Sequence, residues 1–488
     1  MTRSPALRRG WCPGALRPMP TGDGLLVRVR LRGGLLPVSL ARRLADGARR
    51  FGNGLIDLSA RANLQIRGIT QETHSALLAH LADTDILDED PNAEAVRNIV
   101  ASPLAGSPEF GALLDLSPIH AALDRRLASD TRLHALPGKF SFLLDDGGWP
   151  SLAEVDADAR FVAYVDDGMN EGLPVFRVAL GGTAESAVLV GGCAPHEVAD
   201  VALRIALRFL AATGEGGGAA SRMRDLLAEC SDFAGSIELP GTAPPAAIGS
   251  RQQSPIGLFS GTTGRSLLGL GVAFGRLTAD GLDLLAEAAE ALGCDAVRIA
   301  PGRVFLLPLG KTETLDHDDF GLHQSEIMNV IDSNNVERAA QTSPRNLRKL
   351  DCAGKAAQRP TFPHPALASW LERLAAMGFI LDPADPRRAI AACPGAPTCQ
   401  NASTPTQDDA MRLAPLARHL SDHGIGLHVA GCIKGCAHPA HAPVTLVAAS
   451  GLYGLVIGGT AQDAIAGAPF PIEAAASVLQ NLIAARLP

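Results

Sequence analysis

Leu180–Ala187 reads LGGTAESA, and near the other end of the 488-residue chain Ile457–Ala464 reads IGGTAQDA. Each copy follows an apolar, β-like run and precedes a helix-like one. Gly-Gly pairs at strand ends are ordinary turn chemistry, because glycine supplies positive φ, but turn chemistry does not explain why the whole pattern returns. Duplication does. A second echo lies upstream of each copy: DGLLVRVRL from Asp23 leads to a helix opening at Ser39, and SLLGLGVAF from Ser266 leads to one opening at Thr278. Both helices start on an N-cap residue and carry an apolar stripe, Leu40, Leu44 and Phe51 in one and Leu285, Ala288 and Leu292 in the other. Between the copies, 214–255 is rich in Gly, Ala, Ser and Pro, with a short helix expected over Met223–Cys230, and reads as a linker. The expected organisation is an α/β (α+β) chain with a small unit at 1–85, a larger unit at 86–213, the linker, a second small unit at 256–320 and a second larger unit at 321–488. Such a pseudo-twofold molecule has room between its halves for a large cofactor or substrate.

Composition narrows the classes. With 47% hydrophobic and 19% charged residues the chain reads as soluble and globular, and it is too long for a single core. A formal charge of −8 without any basic block argues against a nucleic-acid partner, and 4% aromatic residues leave little for base stacking. Nine cysteines form no disulfide framework, and no cationic start leads into an apolar signal core, so a reduced cytoplasmic setting is expected. The uncharged stretch Ala442–Gly459 has the makings of a membrane span. However, Pro443, Gly451 and Gly454 interrupt it, and Val444, Leu446 and Ala448 fall at strand spacing. Two buried strands around a turn are expected there, and no membrane contact.

Cys393 and Cys399 in ACPGAPTCQ, then Cys432 and Cys436 in GCIKGCAHP, give C-x5-C followed by C-x3-C. Two close thiolate pairs on separate loops can converge on one soft metal centre, and Gly395, Gly431 and Gly435 let the backbone bend around it. A 4Fe-4S cluster is the first candidate and zinc the second, since five residues between paired ligands is wide for zinc. Cys12, Cys193, Cys230, Cys294 and Cys352 lack ligand spacing and read as small buried hydrophobes. Of only five lysines, Lys139 lies in LPGKFSF and Lys434 between Cys432 and Cys436. In SARANLQIRG, Arg61, Asn63, Gln65 and Arg67 alternate as if on one strand face, and Arg97 and Asn98 follow in VRNIVASPLAG. Several guanidinium groups on one surface suit a polycarboxylated ligand, whereas any one of them alone is ordinarily a solvated salt bridge. His438 and His441 stand close to Cys436, yet histidines on a loop are usually surface or hydrogen-bonded residues. No G-x-G-x-x-G follows a strand, so no dinucleotide-binding domain is expected.

Taken together, these residues resemble the sulfite/nitrite reductase superfamily. The cysteine spacing is similar to that family's cluster signature. Arg61-x-Asn63-x-Gln65 with Arg67-Gly68 resembles its first cofactor-binding strand, and Arg97-Asn98 and Leu136-Pro137-x-Lys139-Phe140 resemble its next two motifs. The resemblance implies that the small units are ferredoxin-like half-domains and that the two larger lobes enclose a tetrapyrrole. It also implies a 4Fe-4S cluster in the second lobe, held by Cys393, Cys399, Cys432 and Cys436, with Arg61, Asn63, Gln65, Arg67, Arg97 and Lys139 around the tetrapyrrole.

Within the superfamily, RGWCPGALRPMPTGDGLLVRVR, GNGLIDLSARANLQIRG and VRNIVASPLAG look most like the branch that oxidises precorrin-3A in aerobic cobalamin biosynthesis. Siroheme reductases commonly carry a second lysine two residues after the one matching Lys139, and here Ser141 stands there. The branch implies a tetrapyrrole that is substrate, dioxygen as co-substrate, hydroxylation at C20 and closure of a γ-lactone by the ring A acetate. It further implies electrons from NADH, arriving through a partner reductase or at an unrecognised site, and because oxygen activation by a cluster alone would be unusual, an additional mononuclear non-haem iron is expected. A siroheme-dependent sulfite or nitrite reductase is the alternative. A non-catalytic cluster protein would leave both the basic residues and the duplication unexplained.

Overall fold

The computed structural model describes residues 13–165, 172–214, 220–241, 254–311, 365–420 and 424–485. Cys12, Cys352 and the boundary expected at 320/321 lie outside the described residues. The first small unit holds β1 (Met19–Thr21), β2 (Gly24–Val29), β3 (Leu35–Pro37), α1 (Val38–Phe51), β4 (Leu55–Leu58), β5 (Leu64–Ile69) and α2 (Gln71–Leu81). Along β2, Leu25, Val27 and Val29 enter a core while Arg28 stays on the opposite, polar face, the period-two pattern of a half-buried strand. The first lobe follows: α3 (Pro91–Val96), β6 (Ile99–Ala101), α4 (Ser117–Ser129), β7 (Phe142–Asp145), β8 (Ala157–Val165), β9 (Pro174–Gly182), β10 (Val188–Cys193), α5 (Val198–Thr213) and α6 (Met223–Glu229). The second small unit holds β11 (Gly257–Ser260), β12 (Arg265–Val272), β13 (Arg276–Thr278), α7 (Ala279–Ala291), β14 (Ala296–Ala300), β15 (Val304–Lys311), α8 (Pro365–Ala376) and β16 (Phe379–Ile380). The second lobe comprises β17 (Ile390–Ala392), α9 (Thr406–Ala417), β18 (Leu427–Ala430), β19 (Ala442–Ala449), β20 (Leu452–Gly459), β21 (Ala466–Phe470) and α10 (Ile472–Ala484).

Among the described residues the strands form four sheets. The two half-domain sheets run β1-β2-β5-β4-β13 and β11-β12-β15-β14-β3, with β16 on β12. Each therefore ends on a strand lent by the other half: β13 pairs with β4, and β3 pairs with β14. α1 and α7 pack into the common core with Leu40, Leu44, Leu282 and Leu285. The lobes also match each other. β6, β7 and β8 are parallel and are followed by antiparallel β9 and β10; β17, β18 and β19 are parallel and are followed by antiparallel β20 and β21. The two GGT segments close the same turn, with the Thr183 N–H donating to Ser186 Oγ at 3.0 Å and the Thr460 N–H donating to Asp463 Oδ2 at 2.7 Å.

Three expectations are corrected. α1 opens at Val38 with Pro37 at the N-cap and no side-chain cap, so Ser39 lies inside the first turn; the end of the lent strand β3 sets the start. In α7 the expected cap is present, Thr278 Oγ1 accepting from the Gly281 N–H at 3.0 Å. The segment read as a linker is part of the first lobe up to Gly241, because Met223, Leu226, Phe233 and Ile237 enter that lobe's core and Gly241 bridges to Gly192. Likewise α8 and β16 belong to the half-domains rather than to the second lobe, since Leu367, Leu371, Leu374 and Phe379 join the shared core. Ala442–Gly459 is a hairpin turning at Ser450 and Gly451, both with positive φ. No described helix is long and apolar enough to cross a membrane.

Candidate functional site

Parallel β17 and β18 end side by side, and their carboxyl ends deliver Cys393 and the Gly431–Cys432 pair to one corner, the edge where open α/β sheets bind ligands. The Gly431 N–H donates to Cys393 Sγ at 3.1 Å, and Thr406 Oγ1 lies 3.5 Å from the same sulfur. A Cβ on Gly431 would sit 2.7 Å from Ala402 Cβ, so only glycine lets the second loop approach this closely. Gly395, at φ 71°, folds the C-x5-C loop back so tightly that a Cβ would be 2.5 Å from the Thr406 nitrogen.

Cys393 is buried, Cys399 and Cys432 are half-buried and Cys436 is exposed. Burial pushes the Cys432 thiol up and the Lys434 N–H pulls it down; Cys399, Cys436 and Cys393 each push it up through their charge. All four cysteines thus share one electrostatic neighbourhood. Among the described residues, no three His, Cys, Asp or Glu side chains close on a single metal ion. A mononuclear zinc site would need its sulfurs drawn in to Zn–S bonds of about 2.3 Å.

Beneath the corner lies His428, which the sequence reading did not single out: it is fully buried, with no partner for either ring nitrogen among the described residues. Burial and His438 push it down to about 4. His438 Nε2 and His441 Nδ1 both meet backbone carbonyls, those of His441 and Gly458, at 3.2 Å. The first lobe repeats the corner without sulfur, the Asp146 N–H donating to Ser102 Oγ at 3.0 Å at the ends of β7 and β6.

The polar face of the first half-domain sheet lies against this corner. Strand register places Arg28, Gln65, Asp57 and Arg276 in one row across β2, β5, β4 and β13. With its oxygen toward Arg28, Gln65 accepts from Nε at 3.2 Å and from Nη2 at 3.0 Å. The expected four-residue strand face does not exist as drawn. β5 starts at Leu64, so Arg61 and Asn63 sit in the β4–β5 turn, where Ala62 has positive φ and Asn63 Nδ2 donates to the Arg61 carbonyl at 2.8 Å. Arg61 reaches the first lobe, donating to the Asp156 carbonyl at 3.2 Å.

Arg67 is 2% exposed and fully engaged, donating to both oxygens of Asp23, to Asp57 and to the Thr398 carbonyl. It is tied into the fold, and Arg97 likewise pairs with Asp88 and Asp124. Asn98 Nδ2 donates to the carbonyls of Gly138 at 3.1 Å and Phe140 at 3.2 Å, stapling the loop on both sides of half-buried Lys139. Arg30 Nη2 reaches Asn98 Oδ1 at 3.4 Å. Ser141 is buried, and its N–H donates to Asp158 at 2.9 Å, so that position offers no second cation.

The sequence reading did not single out Arg28 and Arg30, although they alternate in VRVR; Asp57 and Arg276 join the row only through strand pairing. A cavity of about 230 Å³ opens beside Arg276, lined also by Phe379, Arg387 and Met411. Neither it nor a smaller one of about 130 Å³ beside Lys434 and His438 includes Arg61 or Lys139.

Residues 17–84 match the family described as the nitrite/sulfite reductase ferredoxin-like half domain. The solved structure of the NirA protein of Mycobacterium tuberculosis superposes with a TM-score of 0.66 at 19% identity, covering 95% of this chain and 81% of that one. Duplicated half-domains, paired lobes and a cysteine corner thus define a protein of the nitrite and sulfite reductase class. A precorrin-3B synthase from Sinorhizobium sp. is 33% identical over 468 residues, spanning 93% of this chain and 84% of that relative. The chain belongs to the precorrin-3B synthase family. Ferredoxin–nitrite reductases are more distant. The one from Synechococcus elongatus is 27% identical over 315 residues, 58% of each chain, and the assimilatory one from Haloferax mediterranei is 25% identical, spanning 56% of this chain and 53% of its own.

Proposed function

We propose that this chain is an oxidoreductase that converts precorrin-3A to precorrin-3B. One atom of dioxygen becomes a hydroxyl at C20, and the ring A acetate oxygen closes a γ-lactone at C1. The second oxygen atom leaves as water, taking up two protons and two electrons that derive from NADH through a partner reductase.

The observation that supports this reading most is the docking of the C-x5-C loop on the arginine-bearing row of the first half-domain. It sets a sulfur-rich corner against a cationic, hydrogen-bonding face. Cys393, Cys399, Cys432 and Cys436 would hold a 4Fe-4S cluster: their shared field, the N–H···S contact at Cys393 and the glycine-shaped loops fit a multi-iron centre better than a single ion. When bound, the cluster supplies single electrons, which dioxygen requires to react with a closed-shell organic molecule. An additional mononuclear iron and the partner reductase complete this proposal.

The protein's own residues hold the substrate. Arg61 and Lys139, with Arg28, Arg30, Asn63 and Gln65, offer donors to acetate and propionate groups, and Asn98 keeps the Lys139 loop in place. Arg61 also pairs with Asp156 at 3.6 Å and Arg30 with Glu94 at 3.4 Å, while Arg67 and Arg97 stand in the tighter ion pairs that hold the surrounding backbone. Ser141 turned toward Asp158 removes the second lysine that small oxyanion reduction uses, which favours the precorrin reading over the siroheme alternative.

The test is anaerobic incubation with precorrin-3A and reductant, followed by labelled dioxygen and product mass. Gain of one labelled oxygen atom is expected. A Soret band with sharp visible bands in the purified protein, and no product, would replace this reading with the siroheme reductase.

A further inference from the structure

Thr398 sits inside the C-x5-C loop, next to Cys399, and is 5% exposed. Its carbonyl accepts from the Gly22 N–H at 3.0 Å and from Arg67 Nη2 at 3.1 Å, and its hydroxyl oxygen lies 3.3 Å from Arg276 Nη1. Arg67 comes from β5 of the first half-domain and Arg276 from β13, the strand lent by the second, so the two halves grip one residue from two sides. Asp57 stands between the two guanidiniums, 2.9 Å from Arg67 Nη1 and 2.8 Å from Arg276 Nε. Asp23 braces Arg67 from the far side at 2.8 Å. Arg303, on the β14–β15 turn, acts on Asp57 through space. Arg67 and Arg276 balance Asp57 and Asp23 in charge, and Arg303, whose side chain lies against Gly275, adds a further cation nearby. The fit of loop to sheet is close, since a Cβ on Gly22 would stand 2.2 Å from the Pro397 carbonyl oxygen. Gln400 adds a bond of 3.3 Å to the Thr21 carbonyl.

Resting on the cluster reading above, we infer that Arg67 and Arg276 are positioning residues that lock the Cys393–Cys399 loop onto the paired half-domains and hold the cluster's reduction potential up. Reduction adds a negative charge to a centre that already carries four thiolates. Buried Arg67 and half-buried Arg276, only partly screened by salt, favour that charge, and cluster potentials respond to nearby charge and hydrogen bonds. The carbonyl that Arg67 grips belongs to the peptide that carries the Cys399 nitrogen, and Arg276 meets the hydroxyl of the same residue, Thr398, so their field falls beside a ligand.

The experiment uses the full chain, reconstituted anaerobically with iron and sulfide. Its readouts are iron and sulfide content and the midpoint potential followed by electron paramagnetic resonance. Arg67→Gln and Arg276→Gln are expected to lower the potential, and Arg67→Lys to bring it back toward the parent value because it restores the charge. Gly22→Ala, which leaves every charge in place, is expected to lose cluster by unseating the loop. Thr398→Val removes one anchor while keeping both arginines, and is expected to give a smaller downward shift should the arginine variants fail to fold. Full cluster content with an unmoved potential in the glutamine variants, or in Thr398→Val where those do not fold, overturns the clamp and leaves the cluster reading intact. A parent protein that takes up no cluster overturns both.

Discussion

At the scale of single residues, the cysteine corner and the basic face respond to different chemistry, and substitutions separate them. On the proposed cluster reading, Cys399→Ser or Cys432→Ser is expected to abolish iron-sulfur absorption and turnover together, with spectrum and product assay as the check. Arg61→Ala is expected to leave the spectrum unchanged and weaken precorrin binding by about 1.5 to 3 kcal/mol, the range for a lost charge-assisted hydrogen bond. Asp145 makes a pH prediction. Burial pushes its carboxyl up to about 6 against the backbone N–H groups of Gly147 and Leu152 that pull it down, and neighbouring Asp146 adds to the rise. The unfolded chain releases that proton near 3.8, so between the two values the folded state binds more protons. Stability therefore falls by about 3 kcal/mol as pH rises through this window. Asp145→Asn should flatten that slope in urea unfolding compared at about pH 4 and about pH 6; an identical slope in the variant would show that Asp145 does not cause it.

Among elements, the paired helices α1 and α7 look equivalent in sequence and differ in how they begin. Thr278→Ala removes a cap that exists and is expected to cost about 1 kcal/mol, whereas Ser39→Ala removes no cap and should lie within about 0.5 kcal/mol of the parent in thermal unfolding. The contrast also shows what the sequence could carry. Glycine pairs, apolar alternation and cysteine spacing are local, so the duplication, the hairpin over Ala442–Gly459 and the four thiols were legible. Arg67 was legible as a cation but not as a buried one, because Asp23 and Thr398 reach it only after distant segments meet. The extent of the first lobe was obscured for a simpler reason: the four apolar residues that anchor 220–241 are scattered through Gly, Ala and Ser, which mimic a linker.

For the molecule as a whole, the reciprocal loan of β3 and β13 makes each half-domain incomplete without its counterpart. Two polypeptides divided between Gly241 and Ser254 are each expected to show little protected amide hydrogen when expressed alone. Coexpressed, they should copurify with protection restored in β4 and β14; a stably folded single half would contradict the exchange. Because each ladder is stitched into the opposite half, a hinge rotation between halves would tear hydrogen bonds at both seams at once. The arginine row, which crosses one of those seams onto β13, is therefore fixed when the chain folds. On the proposed reading, the macrocycle is therefore seated against a surface that is already rigid, and not between half-domains that swing apart.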